Sequence, residues 1–176
     1  VLINELEDNL KAFSTWEVIF IDDGSSDGST ELLTDLCSSD HNFKLIQFHR
    51  NYGKSAALNE GFKVVSGEYV ITMDADLQDD PSEIQNLIGK LEEGWDLVSG
   101  WKKTRLDPLN KRIPSKLFNF VTSLLTGVKI HDFNCGLKGY KKKVVKSIDL
   151  YGGLHRYIPA IGAQKGFSVT EIEVNH

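Results

Sequence analysis

The run "MDADLQDDP" (Met73–Pro81) places Asp74, Asp76, Asp79 and Asp80 at the end of the apolar stretch Tyr69–Met73. Carboxylates crowded in this way repel one another unless a cation lies among them. Mg2+ or Mn2+ takes hard oxygen ligands at about 2.1 Å and keeps positions open for substrate phosphates. In an extended segment alternate residues share a face, so Asp74, Asp76 and Gln78 would offer three oxygens to one ion. The competing use of such acids is a helix start, with Asp80 as cap before Pro81 and Asp79 beside it. A second acidic pair, Asp22–Asp23, ends another short β-rich run, Glu17–Asp22.

The surrounding pattern shows what must position these acids. Val1, Leu2, Leu6, Leu10 and Phe13 recur at helical spacing, and residues 29–37 and 54–65 read as helices. Residues 17–22, 43–48, 68–74 and 96–100 read as strands, and a helix opens at Asp80–Pro81 and runs to Leu91. Such alternation predicts an α/β domain with a largely parallel sheet. Ligands of these sheets bind beyond the carboxyl ends of the strands, where both acidic clusters fall. After Gly100 the regularity loosens into a basic loop (Lys102, Lys103, Arg105) and a helix over about residues 111–126. The turn "HDFNCG", the run "LKGY", a basic helix start at Lys141 and a last strand "SVTEIEV" follow.

The 176 residues suit one domain with a full core, and a net charge of −5 argues against nucleic-acid binding driven by overall charge. Cys37 and Cys135 form no C-x-x-C pair and predict reduced thiols, Cys135 being structural rather than nucleophilic. No apolar run is long enough to span a bilayer, and the first residues lack the basic start and apolar centre of a signal peptide.

Taken in order, "IDDGSSDGST", "NYGKSAALNEGF", "MDADLQDDP", "SGW" and "DFNCGLKGY" resemble the family 2 glycosyltransferases of GT-A fold, over roughly Glu17–His176. The resemblance is narrower still to those that charge polyprenyl phosphates, the dolichyl-phosphate mannosyltransferase and bactoprenol glucosyltransferase group. It implies a Rossmann-like, three-layer nucleotide-diphospho-sugar transferase fold with a mostly parallel sheet. It also implies an inverting, metal-dependent transfer of a hexose-type sugar from a UDP- or GDP-linked donor to a polyprenyl phosphate.

By that resemblance Asp22 and Asp23 contact the base and ribose, against the alternative of a turn held by Asp and Ser side chains, which is the better reading for Asp27. Asn51, Gly53 and Lys54 line the donor pocket, although this Gly-Lys pair is not the phosphate loop of NTPases. Asp74, Asp76 and Gln78 handle the metal bridging the donor diphosphate, with Asp76 also counted as catalytic. Asp132 lies near the acceptor and the anomeric carbon, positioning or helping as a base, or it only orders its turn. Lys102, Arg105, Arg112 and Ser115 fall where family members bind the acceptor phosphate, and a solvated surface is the alternative. His155 and Arg156 match a pattern near the donor phosphates, with a packed core histidine as the other reading for His155. Ile113, Leu117, Phe118, Val121, Leu124 and Leu125 form an apolar stripe behind Lys111, Arg112 and Lys116. It faces either the core or a membrane interface.

Family members begin with a strand bearing a P-x-Y-N-E-like motif and continue past the V-x-H position into an arginine-bearing segment and usually transmembrane helices. The expectation is therefore a single GT-A catalytic domain over residues 1–176, truncated at both ends. This piece would be soluble, the whole protein would sit on the cytoplasmic face of a membrane, and a homo-oligomer stays open. A polysaccharide acceptor is the nearest alternative. A Mg2+-binding receiver domain fits "VIFIDDG" and "YVITMDA" but lacks the later strand ending in Lys. A sugar nucleotidyltransferase would need a glycine-rich basic loop after its first strand, and the intact Asp74/Asp76/Gln78 set argues against a non-catalytic binding module.

Overall fold

The computed structural model describes residues 1–103, 119 and 121–175. Apolar residues at helical spacing fix how its helices lie. In α1 (Leu2–Leu10) Leu6 and Leu10 are buried, and in α4 (Glu83–Glu92) Ile84, Leu87 and Leu91 are. Helices α2 (Ser29–Ser39) and α3 (Lys54–Val64) follow the strands β1 (Val18–Asp22) and β2 (Phe43–Gln47). These two strands pair in parallel as a two-stranded sheet.

The second sheet takes β3 (Tyr69–Thr72), β5 (Lys138–Lys141), β4 (Leu97–Trp101) and β6 (Val169–Glu173) in that order. Strand β5 runs antiparallel to both β3 and β4, and β6 runs parallel to β4. Strands β3, β4 and β6 thus share one direction and β5 opposes them. That reversal matters, because the start of β5 meets the ends of its neighbours: Lys138 lies opposite both Thr72 and Ser99. Whatever precedes Lys138 must lie on the carboxyl edge of the sheet.

Alternation of side chains across the pleat gives each face its own core. Val70, Leu97 and Tyr140 pack with Phe62 of α3 and with Val144 and Val145 of the short helix α5 (Lys142–Val145). Ile158, the first residue of α6 (Ile158–Gln164), closes the same layer. On the opposite face Val98 and Leu137 pack with Leu87 and Leu91 of α4. Helix layers on both sides of a largely co-directional sheet are the three-layer α/β arrangement expected. A short 3-10 turn over Leu154–Tyr157 and α6 went unread in the sequence, since α6 is buried at Ile158, Pro159, Ala160 and Gly162 and shows no amphipathic stripe.

No ladder joins β1 to β3, and other ties hold the sheets together, among them the following. Leu6 and Leu10 of α1 cluster with Ile84, Val18 and Ile71, so one helix packs on both. The carboxylate of Glu17, at the foot of β1, accepts hydrogen bonds from Ser66 N–H (2.7 Å), Ser66 Oγ (2.6 Å) and Gly67 N–H (3.3 Å), in the turn before β3. Its other oxygen takes the Lys44 ammonium at 2.6 Å. Burial pushes this carboxyl up, but the Lys44 and Ser66 hydrogen bonds outweigh it and hold the pKa at about 2. The folded value lies below the unfolded one, so the stabilisation is complete above roughly pH 5 and is lost as pH falls toward 2. Glu17→Gln is expected to lower stability near neutral pH by on the order of 2 kcal/mol and to flatten the pH dependence in that acid window. Melting temperatures from about pH 7 down to pH 3 check this; an unchanged slope would contradict it.

Candidate active site

Beyond Thr72 the chain does not stay extended. It bends over residues 75–77, and Leu77 adopts φ +64°, a region L side chains seldom enter. The expected alternation of Asp74, Asp76 and Gln78 along one face is therefore replaced by a turn, and the four acids separate by partner. Both oxygens of Asp74 hold the Lys54 ammonium, at 2.5 and 2.7 Å. Asp76 is exposed and accepts the Gln78 N–H. Asp79 is buried, accepts the Asp74 N–H at 3.0 Å and pairs with Lys102 at 2.7 Å. Asp80 accepts the Ser82 N–H and opens α4 two residues later than Pro81 promised.

Among the described residues no three His, Cys, Asp or Glu side chains gather at one point. A Mg2+ or Mn2+ ion that shares its shell with substrate phosphate and water needs only one or two carboxylates. Asp74, Asp76 and the Gln78 carboxamide are all hard oxygen donors, and Asp74 already holds a cation. The set fits a divalent metal.

Lys54 is aimed from a fixed backbone. Asp23 accepts the N–H groups of Tyr52 (2.7 Å) and Gly53 (2.9 Å), tying the end of β1 to the start of α3. Gly53 has φ +91°, where a side chain would be strained. Asp22 is buried, and its oxygens accept Ser25 N–H and the Thr30 hydroxyl. The Ser25 and Thr30 bonds hold its carboxyl below the usual range. Asp22 therefore shapes the turn at the end of β1. Asp23 keeps lone pairs for a further donor, and Asn51 is exposed beside it.

The loop before β5 closes the site from the other side. Its carbonyls accept hydrogen bonds from Asn119 (at His131), Ser99 (at Asp132), Lys138 (at Cys135) and Thr72 (at Gly136). Asp132 is 2% exposed and accepts the Asn134 N–H, so it orders its own turn as well as lying at the site. A Cβ on Gly136 would fall 2.7 Å from Cγ of Asp74, so only glycine lets this backbone rest against that carboxylate. Lys138 is wholly buried, and burial lowers its pKa while Asp132 and Asp74 act against that. Sequence reasoning passed over Lys138; its signal was a lysine set between apolar and glycine residues in a strand. Burial raises the Cys135 thiol, in keeping with a structural cysteine.

His155 bonds to Ser55 of α3 through Nδ1 (3.0 Å) and through its N–H (3.1 Å). Burial, then the charges of Lys54, Arg156 and Lys138, push its pKa down, which favours the neutral form of this half-buried imidazole. Arg156 is exposed. Arg105, Arg112 and Ser115 lie outside the described residues, as do Lys111, Ile113, Lys116, Leu117, Phe118 and His176.

Lys102 departs from its expected role. Its side chain is only 9% exposed, and the ammonium is shared between Asp79 and the Gln78 carbonyl (2.7 Å). It pins the 74–80 turn and is not free for an acceptor phosphate. Lys102→Met leaves the buried Asp79 charge unpaired and is expected to cost about 3 kcal/mol of folding stability. Denaturant titration measures this; a loss under about 0.5 kcal/mol with impaired phosphate binding would restore the acceptor role.

Glycosyl transferase family 2 matches the chain over residues 2–149. The chain is 36% identical over 166 residues to a dodecaprenyl-phosphate galacturonate synthase of Rhizobium johnstonii, covering 92% of this chain and 49% of that protein. It is 37% identical over 162 residues to an undecaprenyl-phosphate 4-deoxy-4-formamido-L-arabinose transferase of Salmonella paratyphi B, covering 92% and 50%. The chain therefore spans about half the length of these curated relatives. A Mycobacterium tuberculosis glucosyl-3-phosphoglycerate synthase, solved with phosphoglyceric acid, superposes with TM-score 0.71 at 17% identity, over 98% of this chain and 64% of that one. A Pyrobaculum calidifontis mannosyltransferase, solved with GDP-Man and Mn2+, gives 0.67 at 19% identity, over 98% and 51%. These two establish the GT-A fold. With motifs, fold and family match in agreement, the chain belongs to glycosyl transferase family 2.

Proposed function

We propose that the protein moves a hexose-type sugar from a UDP- or GDP-linked donor to a polyprenyl phosphate at a membrane surface, inverting the anomeric centre, with Mg2+ or Mn2+ at Asp74, Asp76 and Gln78. The observation that carries this is the meeting, at the carboxyl end of β3, of the Asp74 carboxylate, the Lys54 ammonium and the start of α3. Carboxylates for a metal, a cation and helix N–H groups for phosphate are what a nucleoside diphosphate needs. The names of the two curated relatives, both polyprenyl-phosphate enzymes, support the acceptor. They are named for a hexuronate and a modified pentose, so a donor panel should include both beside neutral hexoses.

In this reading Asp23 and Asn51 receive the nucleoside, and Lys54, His155 and Arg156 flank the diphosphate. The bound metal supplies positive charge to the departing nucleoside diphosphate. The acceptor phosphate is ionised near neutral pH, so its oxygen attacks the anomeric carbon without losing a proton to a base, and one in-line displacement inverts that centre. Asp132 then positions the acceptor, a task suited to a buried carboxylate held by the Asn134 N–H. Arg105, Arg112 and Ser115 remain the proposed phosphate grip.

Among the described residues no helix is long and apolar enough to cross a membrane. Helical residues 121–126 nevertheless expose Leu124 (73%) and Leu125 (79%), a pair suited to a bilayer interface.

Asp76 is exposed and lightly bonded, so Asp76→Ala should leave the melting temperature nearly unchanged. It should lower sugar transfer to a polyprenyl phosphate by about 100-fold or more in the full-length protein; near-normal transfer would remove the metal assignment. Flotation with anionic liposomes tests the surface: Leu124→Glu with Leu125→Glu should weaken binding several-fold, and undiminished binding would count against an interfacial helix.

A further inference from the structure

We infer that Lys54 is a built-in counter-cation that competes with the divalent metal for Asp74, so that metal is taken up together with the nucleoside diphosphate and poorly without it. The inference rests on the donor proposed above. Its basis is the contrast between two lysine–aspartate pairs a few residues apart. Lys102 and Asp79 are 9% and 1% exposed, and that pair is permanent structure. Lys54 and Asp74 are 38% and 42% exposed, open to solvent and free to part.

The geometry decides which partner moves. The Lys54 ammonium engages both oxygens of Asp74 at once, at 2.5 and 2.7 Å, using the lone pairs a metal would need. Asp79 holds the Asp74 N–H, and the Gly136 backbone lies against one side of its carboxylate. The main chain at Lys54 is likewise held, since Asp23 accepts the N–H groups of Tyr52 and Gly53. With both main chains held, the four-carbon stem of Lys54 has the greater reach.

Charge then sets the order of binding. A divalent ion arriving alone must approach an aspartate whose charge is already offset by Lys54. An arriving diphosphate gives the Lys54 ammonium new oxygens to pair with and frees Asp74 for the metal. Metal and nucleotide are thereby coupled positively, and each must raise the affinity of the other by the same factor.

The test is Mn2+ binding followed by electron paramagnetic resonance of the free ion, with and without UDP or GDP, corrected for chelation in solution. Native protein should bind Mn2+ alone weakly and tighten at least 10-fold with its nucleotide. Lys54→Met should bind Mn2+ alone about 10-fold more tightly than native and show a nucleotide-dependent gain smaller than native by the same factor. Lys54→Arg, which keeps the charge, should behave as native, and Asp74→Asn added to Lys54→Met should abolish the gain. Melting curves confirm folding, and Lys54→Gln is read in the same way should Lys54→Met not fold. If the nucleotide tightens Mn2+ binding through Asp74 but Lys54→Met and Lys54→Gln gain nothing alone, the competition is overturned and the donor proposal stands. If neither UDP nor GDP tightens Mn2+ binding and Asp74→Asn changes nothing, both fall.

Discussion

The structure turns on the negative charge gathered at the carboxyl end of β3. Four aspartates lie within a single turn of chain, and the fold provides a separate answer for most of them. Lys102 neutralises Asp79 in the interior, Asp80 serves the helix that follows, and Asp76 relies on solvent. Asp74 alone holds an exchangeable cation, Lys54, at a position open to ligands. A site proposed for a divalent ion and a diphosphate would in this sense be one whose charge is only provisionally balanced.

The rest of the architecture delivers groups to that point. Asp23 holds the start of α3 and Lys54 of α3 reaches Asp74, which links the ends of β1 and β3, and the reversed strand β5 places the Asp132–Leu137 loop at the end of β3. Gly136 then lets the loop lie directly on Asp74. Glu17 and α1 hold the two sheets together where no ladder does, so the Asp23 and Asp74 ends keep their spacing. Hydrogen bonds from Asn119, Ser99 and Thr72 hold the loop carbonyls of His131, Asp132 and Gly136, which fixes the main chain around the buried carboxylate of Asp132.

Much of this was legible in the sequence. Period and turn chemistry located five of the six described strands to within a residue or two, β5 being left as an unassigned run, and the ordered motifs identified the family. The failures share a physical cause. The alternation expected of Asp74, Asp76 and Gln78 assumed continued extension, and the left-handed backbone at Leu77 ended it. Lys102 has the residue type of a ligand contact, yet Asp79 claims it across the chain, and no local pattern encodes that partner. Lys138 was missed for the converse reason: a buried lysine is recognisable only once its strand is known to be central.

The central claim is that Asp74 carries a metal bridging the protein to a nucleoside diphosphate. Phosphorus-31 hyperfine coupling to bound Mn2+, measured by electron–nuclear double resonance with UDP or GDP present, tests it most directly. The expected spectrum shows phosphorus coupling in the native protein, and Asp74→Asn removes it along with the bound ion. Nucleotide binding without any phosphorus coupling to Mn2+, or coupling that survives Asp74→Asn, would contradict it.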